Sequence, residues 1–155
     1  MIRLIVIWLS AIASSSAWAS FPQPATLSDL ACRADHIFTA RVTEVDMIDG
    51  DGNALTSYDA RTGPGSKNVI RLKLEVLKMH VSSDYRTPKS VRVPLDNFMH
   101  FSLGQIQEAH ADASEEFLVF LRSEKYQPII AGRFLWSLDD LEEALKIHRE
   151  CEAWR

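Results

Sequence analysis

The side chains best suited to acid–base or metal chemistry in this sequence are its five histidines, His36, His80, His100, His110 and His148. A metal centre needs two or more imidazoles converging with carboxylates. His100 and the triplet His110-Ala111-Asp112 fall in one stretch, so His100, His110 and Asp112 are the candidate ligands. Their spacing is not that of a zinc site, and no H-x-x-x-H pair occurs, so no metal or other cofactor is expected. His36 and His148 lie beside apolar faces and are read as packing residues. Asp49, Asp51 and Asn53 start like a calcium loop, but its sixth and twelfth positions hold Ala54 and Ala60 instead of Gly and Glu. A hairpin tip is the better reading. No serine sits in a G-x-S-x-G setting. Glu115 and Glu116 would point to opposite faces of a strand, and Asp139, Asp140, Glu142 and Glu143 fit the solvated start of a helix. No catalytic residue emerges, and the chain is not expected to be an enzyme.

Two further groups could carry function. Cys32 and Cys151 make an even cysteine count, expected to pair as a structural disulfide in an oxidising compartment. Phe98, Met99 and Phe101 put large apolar side chains in an irregular stretch, residues 96–114. They are either an exposed patch that anchors a partner or a plug for the end of the core. With residues 47–68, this stretch makes two loops long enough to be functional.

Residues 1–19 read as a secretory signal peptide. Arg3 supplies the positive start, residues 4–12 an apolar run too short to span a bilayer, and Ala17-Trp18-Ala19 the cleavage pattern. The expected mature protein, residues 20–155, is a single domain, exported to the periplasm or medium. The formal net charge of the whole chain is −4, and loss of Arg3 makes it −5. An acidic surface argues against nucleic acid and anionic membranes as partners. No second long apolar run follows, so no membrane insertion of the mature chain is expected.

The elements that must position these residues are mostly strands. Residues 36–45 are rich in β-branched and aromatic side chains, with Phe38, Ala40 and Val42 on one face. Residues 69–79 alternate cleanly, with Ile70, Leu72, Leu74 and Val76 on the buried side. Residues 90–95 repeat the pattern, and Pro94 marks an edge or an end. Residues 116–122 are the most hydrophobic strand, and residues 126–131 a fifth. A short helix capped by Thr26 or Ser28 reaches Cys32. Ser137 opens a C-terminal helix as its N-cap, with Asp140 at N3 a near-match to a capping box and Leu138, Leu141, Leu145 and His148 in one stripe. The expected fold is α+β, mainly β: a small five-stranded antiparallel OB-like barrel or sandwich between a short N-terminal helix and a C-terminal helix.

Three segments resemble the secreted netrin/TIMP-like module: residues 34–42 (ADHIFTARV), 74–78 (LEVLK) and 117–121 (FLVFL). The resemblance spans roughly residues 31–131 and implies an OB-like barrel in a secreted setting. Protease inhibitors of that family chelate zinc through an N-terminal cysteine. Here the expected mature terminus is Ser20, so no inhibitory residue is carried over. The expected function is a non-enzymatic secreted or periplasmic protein-binding module of inhibitor, immunity or envelope-accessory type. The alternative is a metal- or small-ligand-binding periplasmic protein using loop His and Asp residues.

Overall fold

The computed structural model describes residues 24–83 and 88–154. The signal-peptide reading therefore lies outside the described residues. Two long strands organise the rest. β1 (His36–Ile48) pairs antiparallel with β2 (Val69–Ser82) from His36↔Ser82 to Ile48↔Val69. Their register shifts at Ile37/Phe38, Thr39/Ala40 and Val42/Glu44. Each irregularity bends and twists the ribbon, so strands this long can coil around a core. β3 (Ser90–Pro94) pairs with β2 alone, and β4 (Glu116–Arg122) flanks β1 on its other side. β4 also pairs with two short strands, β5 (Gln127–Pro128) and β6 (Leu135–Trp136). The order is β3-β2-β1-β4-β5, and β3 comes up against β5. The sheet is thus a nearly closed antiparallel barrel with three α-helices among the described residues, α+β and mainly β.

Alternation sorts the core into layers. Phe38, Ala40, Val42, Leu72, Leu74, Val91, Val93, Val119 and Leu121 fill the barrel with Phe134. The opposite faces of β1 and β4, carrying Ile37, Leu118 and Phe120, pack against the helices. α1 (Leu27–Arg33) starts at a capping box in which Thr26 and Asp29 bond each other's backbone. It packs on α3 (Leu141–Glu152), with Leu30, Ala31 and Ala144 fully buried between them and the sheet. Cys32 and Cys151 are bonded across this pair, with Cα atoms 5.4 Å apart. His148 donates its Nδ1–H to the Ala31 carbonyl at 2.9 Å, a second tie between the helices.

Three local expectations need correction. Residues 47 and 48 belong to β1, and Met47 is buried; the 49–53 tip follows, with the Asp49 carboxylate accepting the Asp51 and Asn53 amides. The fifth strand is only Gln127–Pro128. Tyr126 has a positive φ of 52° and closes a turn onto the Ser123 carbonyl, which takes it out of the ladder. Chain further on supplies β6, a strand too short to carry a periodic signal. Ser137 and Asp140 form no capping box: Ser137 bonds the Asp139 amide in a 3₁₀ turn over Leu138–Asp140, and Asp140 accepts the Trp136 indole N–H at 2.6 Å.

The uncovered face of β1, β2 and β3 carries a charge lattice. Arg71 holds Asp46 through two hydrogen bonds, at 2.7 and 3.0 Å. Arg92 on β3 bridges Asp46 and Glu44, and Lys73 completes the set. Partial burial opposes ionisation of Asp46, but hydrogen bonds and charge from Arg71 and Arg92 outweigh it and hold the carboxyl below its ordinary range. Charges on an edge strand such as β3 also discourage pairing with another chain.

The disulfide closes a sequence separation of 119 residues. Replacing both cysteines by serine is expected to cost roughly 4–5 kcal/mol, the loop-entropy value for a closure of that length. Urea unfolding of the double variant against the oxidised protein measures it.

Candidate functional site at the barrel mouth

One end of the barrel is closed by side chains of α2 (Leu103–Ala109). The helix starts at a capping box in which Ser102 bonds the Gln105 amide and Gln105 bonds back. Leu103 packs on Met47 and Ile70, with Phe101, Leu95 and Ile106 around them. Residues 58–62 run along this plug as a strap. Ala60 and Tyr58 carbonyls accept the Leu103 and Gly104 amides, and Thr62 bonds the carbonyls of Phe101 and Met99. A Cβ on Gly104 would lie 2.2 Å from the Tyr58 ring, so only glycine allows this approach without the tyrosine swinging away. The two long segments expected to be functional loops are therefore laced to each other.

This arrangement divides the three aromatic and Met candidates. Phe101 is turned into the plug. Phe98 is 74% exposed and Met99 37%. They sit on a tight turn in which the Asp96 carboxylate accepts the Phe98 amide at 2.9 Å. Two hollows border that turn. One, of about 300 Å³, is bordered by Pro94, Asn97, Phe98, Arg122, Pro128 and Ile129. The other, of about 310 Å³, opens at the barrel mouth between α2, the 96–99 turn and the chain entering β6. Its wall is mainly apolar, with Leu72, Met99, Ile106, Phe134 and Leu135; Asp96, His110 and Arg133 are its polar members. A larger hollow of about 520 Å³ beside Glu115, Glu116 and Asp139 is a shallow surface depression.

His110 ends α2, and its ring meets Phe117 edge-on, with centroids 6.0 Å apart. Its Nδ1 is buried and has no hydrogen-bond partner among the described residues. Burial pushes the imidazole below its ordinary pKa, and Glu115 opposes this only in part, so the ring is neutral near pH 7. An unpaired lone pair costs less than an unpaired N–H. The proton therefore belongs on Nε2, and His110 offers one N–H donor.

His100 packs over Gly63, and Asp112 is turned back to bond the Ser114 amide and hydroxyl. Among the described residues no group of three or more His, Cys, Asp or Glu side chains is placed to hold a metal. His36 and His148 are buried packing residues, as read from the sequence. His36 donates Nε2–H to the Ser123 carbonyl at 3.1 Å, accepts from Ser82, and stacks on Tyr126. Sequence reasoning missed Arg133, Phe134 and Leu135 as cavity wall. The one signal was Gly132, whose φ of 69° turns the chain there. Comparison with protein-family models and with curated proteins finds no match to this chain.

Phe101→Ala is expected to destabilise by on the order of 2 kcal/mol, because it empties part of the plug. Phe98→Ala is expected to stay within about 0.5 kcal/mol, as surface substitutions do. Thermal unfolding of the two variants separates them.

The His110 pKa is lowered from 6.5 in the folded state, so unfolding takes up a proton. Its contribution to stability is complete above pH 6.5 and is lost as pH falls through the folded value. His80, lowered by burial and by Lys78 against the opposing pull of Glu142, adds to the same trend. His110→Phe keeps an aromatic ring and removes the titration. It should flatten the loss of stability between about pH 7 and 5, measured by urea midpoints across that range.

Proposed function

We propose that this chain is an exported, non-enzymatic module that binds another protein through the 96–99 turn. The observation that carries the reading is Phe98: a large aromatic side chain held in solvent by a hydrogen-bonded turn, with Met99 beside it and two hollows bordering the turn. Aromatic anchors on rigid supports bury much area at little entropic cost and dominate interface energies. The partner would present an apolar pocket for Phe98. Export is supported by the signal-like residues 1–19 and by the Cys32–Cys151 disulfide, which suits an oxidising compartment. Among the described residues no helix is long and apolar enough to cross a membrane.

A photo-crosslinking amino acid at position 98, with a control at Leu77, tests the proposal in envelope and medium fractions. Position 98 should yield a discrete adduct that the control does not. Phe98→Ala should then weaken binding of that partner by about 2 kcal/mol. Equal affinity of the variant and the parent would remove Phe98 as the anchor.

A further inference from the structure

The cavity at the barrel mouth has a composition of its own, independent of the exposed Phe98 side chain. Its volume of about 310 Å³ falls at the small end of ligand pockets. It has room for about ten waters at liquid density, which is the scale of a compact organic molecule. The wall from Leu72 through Met99, Ile106 and Phe134 to Leu135 favours an apolar body over water.

The polar groups on the rim are not equivalent. The Asp96 carboxylate is engaged by the Phe98 amide. His110 is neutral near pH 7 and offers an N–H. Arg133 has no ion pair within 4.0 Å among the described residues, Asp96 included. It is placed by the Ile130↔Arg133 bridge, in which its amide bonds the Ile130 carbonyl at 3.0 Å. The cavity thus has a mainly apolar wall and, on its rim, an exposed arginine with no ion pair among the described residues, and a guanidinium matches the two oxygens of a carboxylate.

We propose that this cavity binds a small monocarboxylate with an unbranched or aryl apolar body, the apolar part entering the barrel mouth and the carboxylate pairing with Arg133. His110 lines the same cavity, and a negative charge near an imidazole favours its protonated form.

Octanoate, 1-octanol and octylamine, each titrated calorimetrically below its aggregation limit, discriminate the chemistry. Octanoate should bind at least tenfold more tightly than the alcohol or the amine. Arg133→Gln, a substitution at an exposed position, should bring octanoate down to the level of the alcohol with an unchanged melting temperature. Saturation with octanoate should shift the methyl resonances of Met99 and Ile106 and raise the His110 pKa read by NMR. Phe98→Ala should leave all of this in place, so a failure of the partner-binding proposal does not count here. The proposal is overturned by absence of octanoate binding at millimolar concentration, by an amine or alcohol that binds as tightly, by undiminished binding to Arg133→Gln, or by binding that leaves the Met99 and Ile106 methyls unmoved.

Discussion

Two-sided burial of β1 and β4 is the constraint on which the rest of the molecule depends. From His36 to Ala40, β1 has no solvent face: Phe38 and Ala40 look into the barrel while Ile37 looks outward. β4 does the same with Val119 and Leu121 inside and Leu118 and Phe120 outside. An outward Ile or Phe on a barrel strand must be covered, or its apolar area stays in water at about 25 cal/mol per Å². The cover is α1 and α3, which come from opposite ends of the described chain. Neither helix is long enough to be stable alone. Their mutual packing, the His148–Ala31 bond and the disulfide hold them on the sheet.

That cover makes the two ends of the barrel unlike. At the His36 end buried polarity is satisfied: His36 bonds Ser82 and Ser123, and Asp35 accepts the Ser123 amide at 2.6 Å. The turn there carries two non-glycine residues with positive φ, Ser123 and Tyr126, a strain that such bonding and stacking can sustain. At the α2 end the closure is a seven-residue helix and a strap, leaving a cavity and an imidazole nitrogen without a partner among the described residues. Incomplete satisfaction of this kind concentrates where a protein meets something else. Both proposed contacts, the Phe98 turn and the Arg133 cavity, lie at this end.

Much of the architecture was legible in advance because it rests on periodicity. The alternation in residues 69–79 and 90–95 could only place Leu72, Leu74, Val91 and Val93 on one side, and they line the barrel. Pro94 marked β3 as an edge because it lacks an N–H for the ladder. Thr26 and Ser28 were both candidate caps for α1 by their side-chain chemistry, and the structure places the cap at Thr26. α2 was not legible: seven residues with Gly104 at their start give neither a helical period nor strong propensity. What holds that helix is its cap and the strap from residues 58–62, a contact more than forty positions away in sequence.

The same division runs through the candidate site. Residue types alone marked Cys32 and Cys151 as partners and Phe98, Met99 and Phe101 as a group worth watching. They could not say which of the three faces solvent, because neighbours in an irregular segment share no repeating geometry to separate them. Tertiary structure decided that, turning Phe101 into the Met47–Leu103 plug and leaving Phe98 outside. It also decided the fate of the histidines. His36 and His148 could be read as packing residues from the faces beside them, since that is a property of period. His110 depended on what buried it, and Arg133 on the turn that carried it to the cavity rim. Period and side-chain chemistry are local and are written in the order of residues. Burial and convergence are made by distant segments and exist only once the barrel has closed.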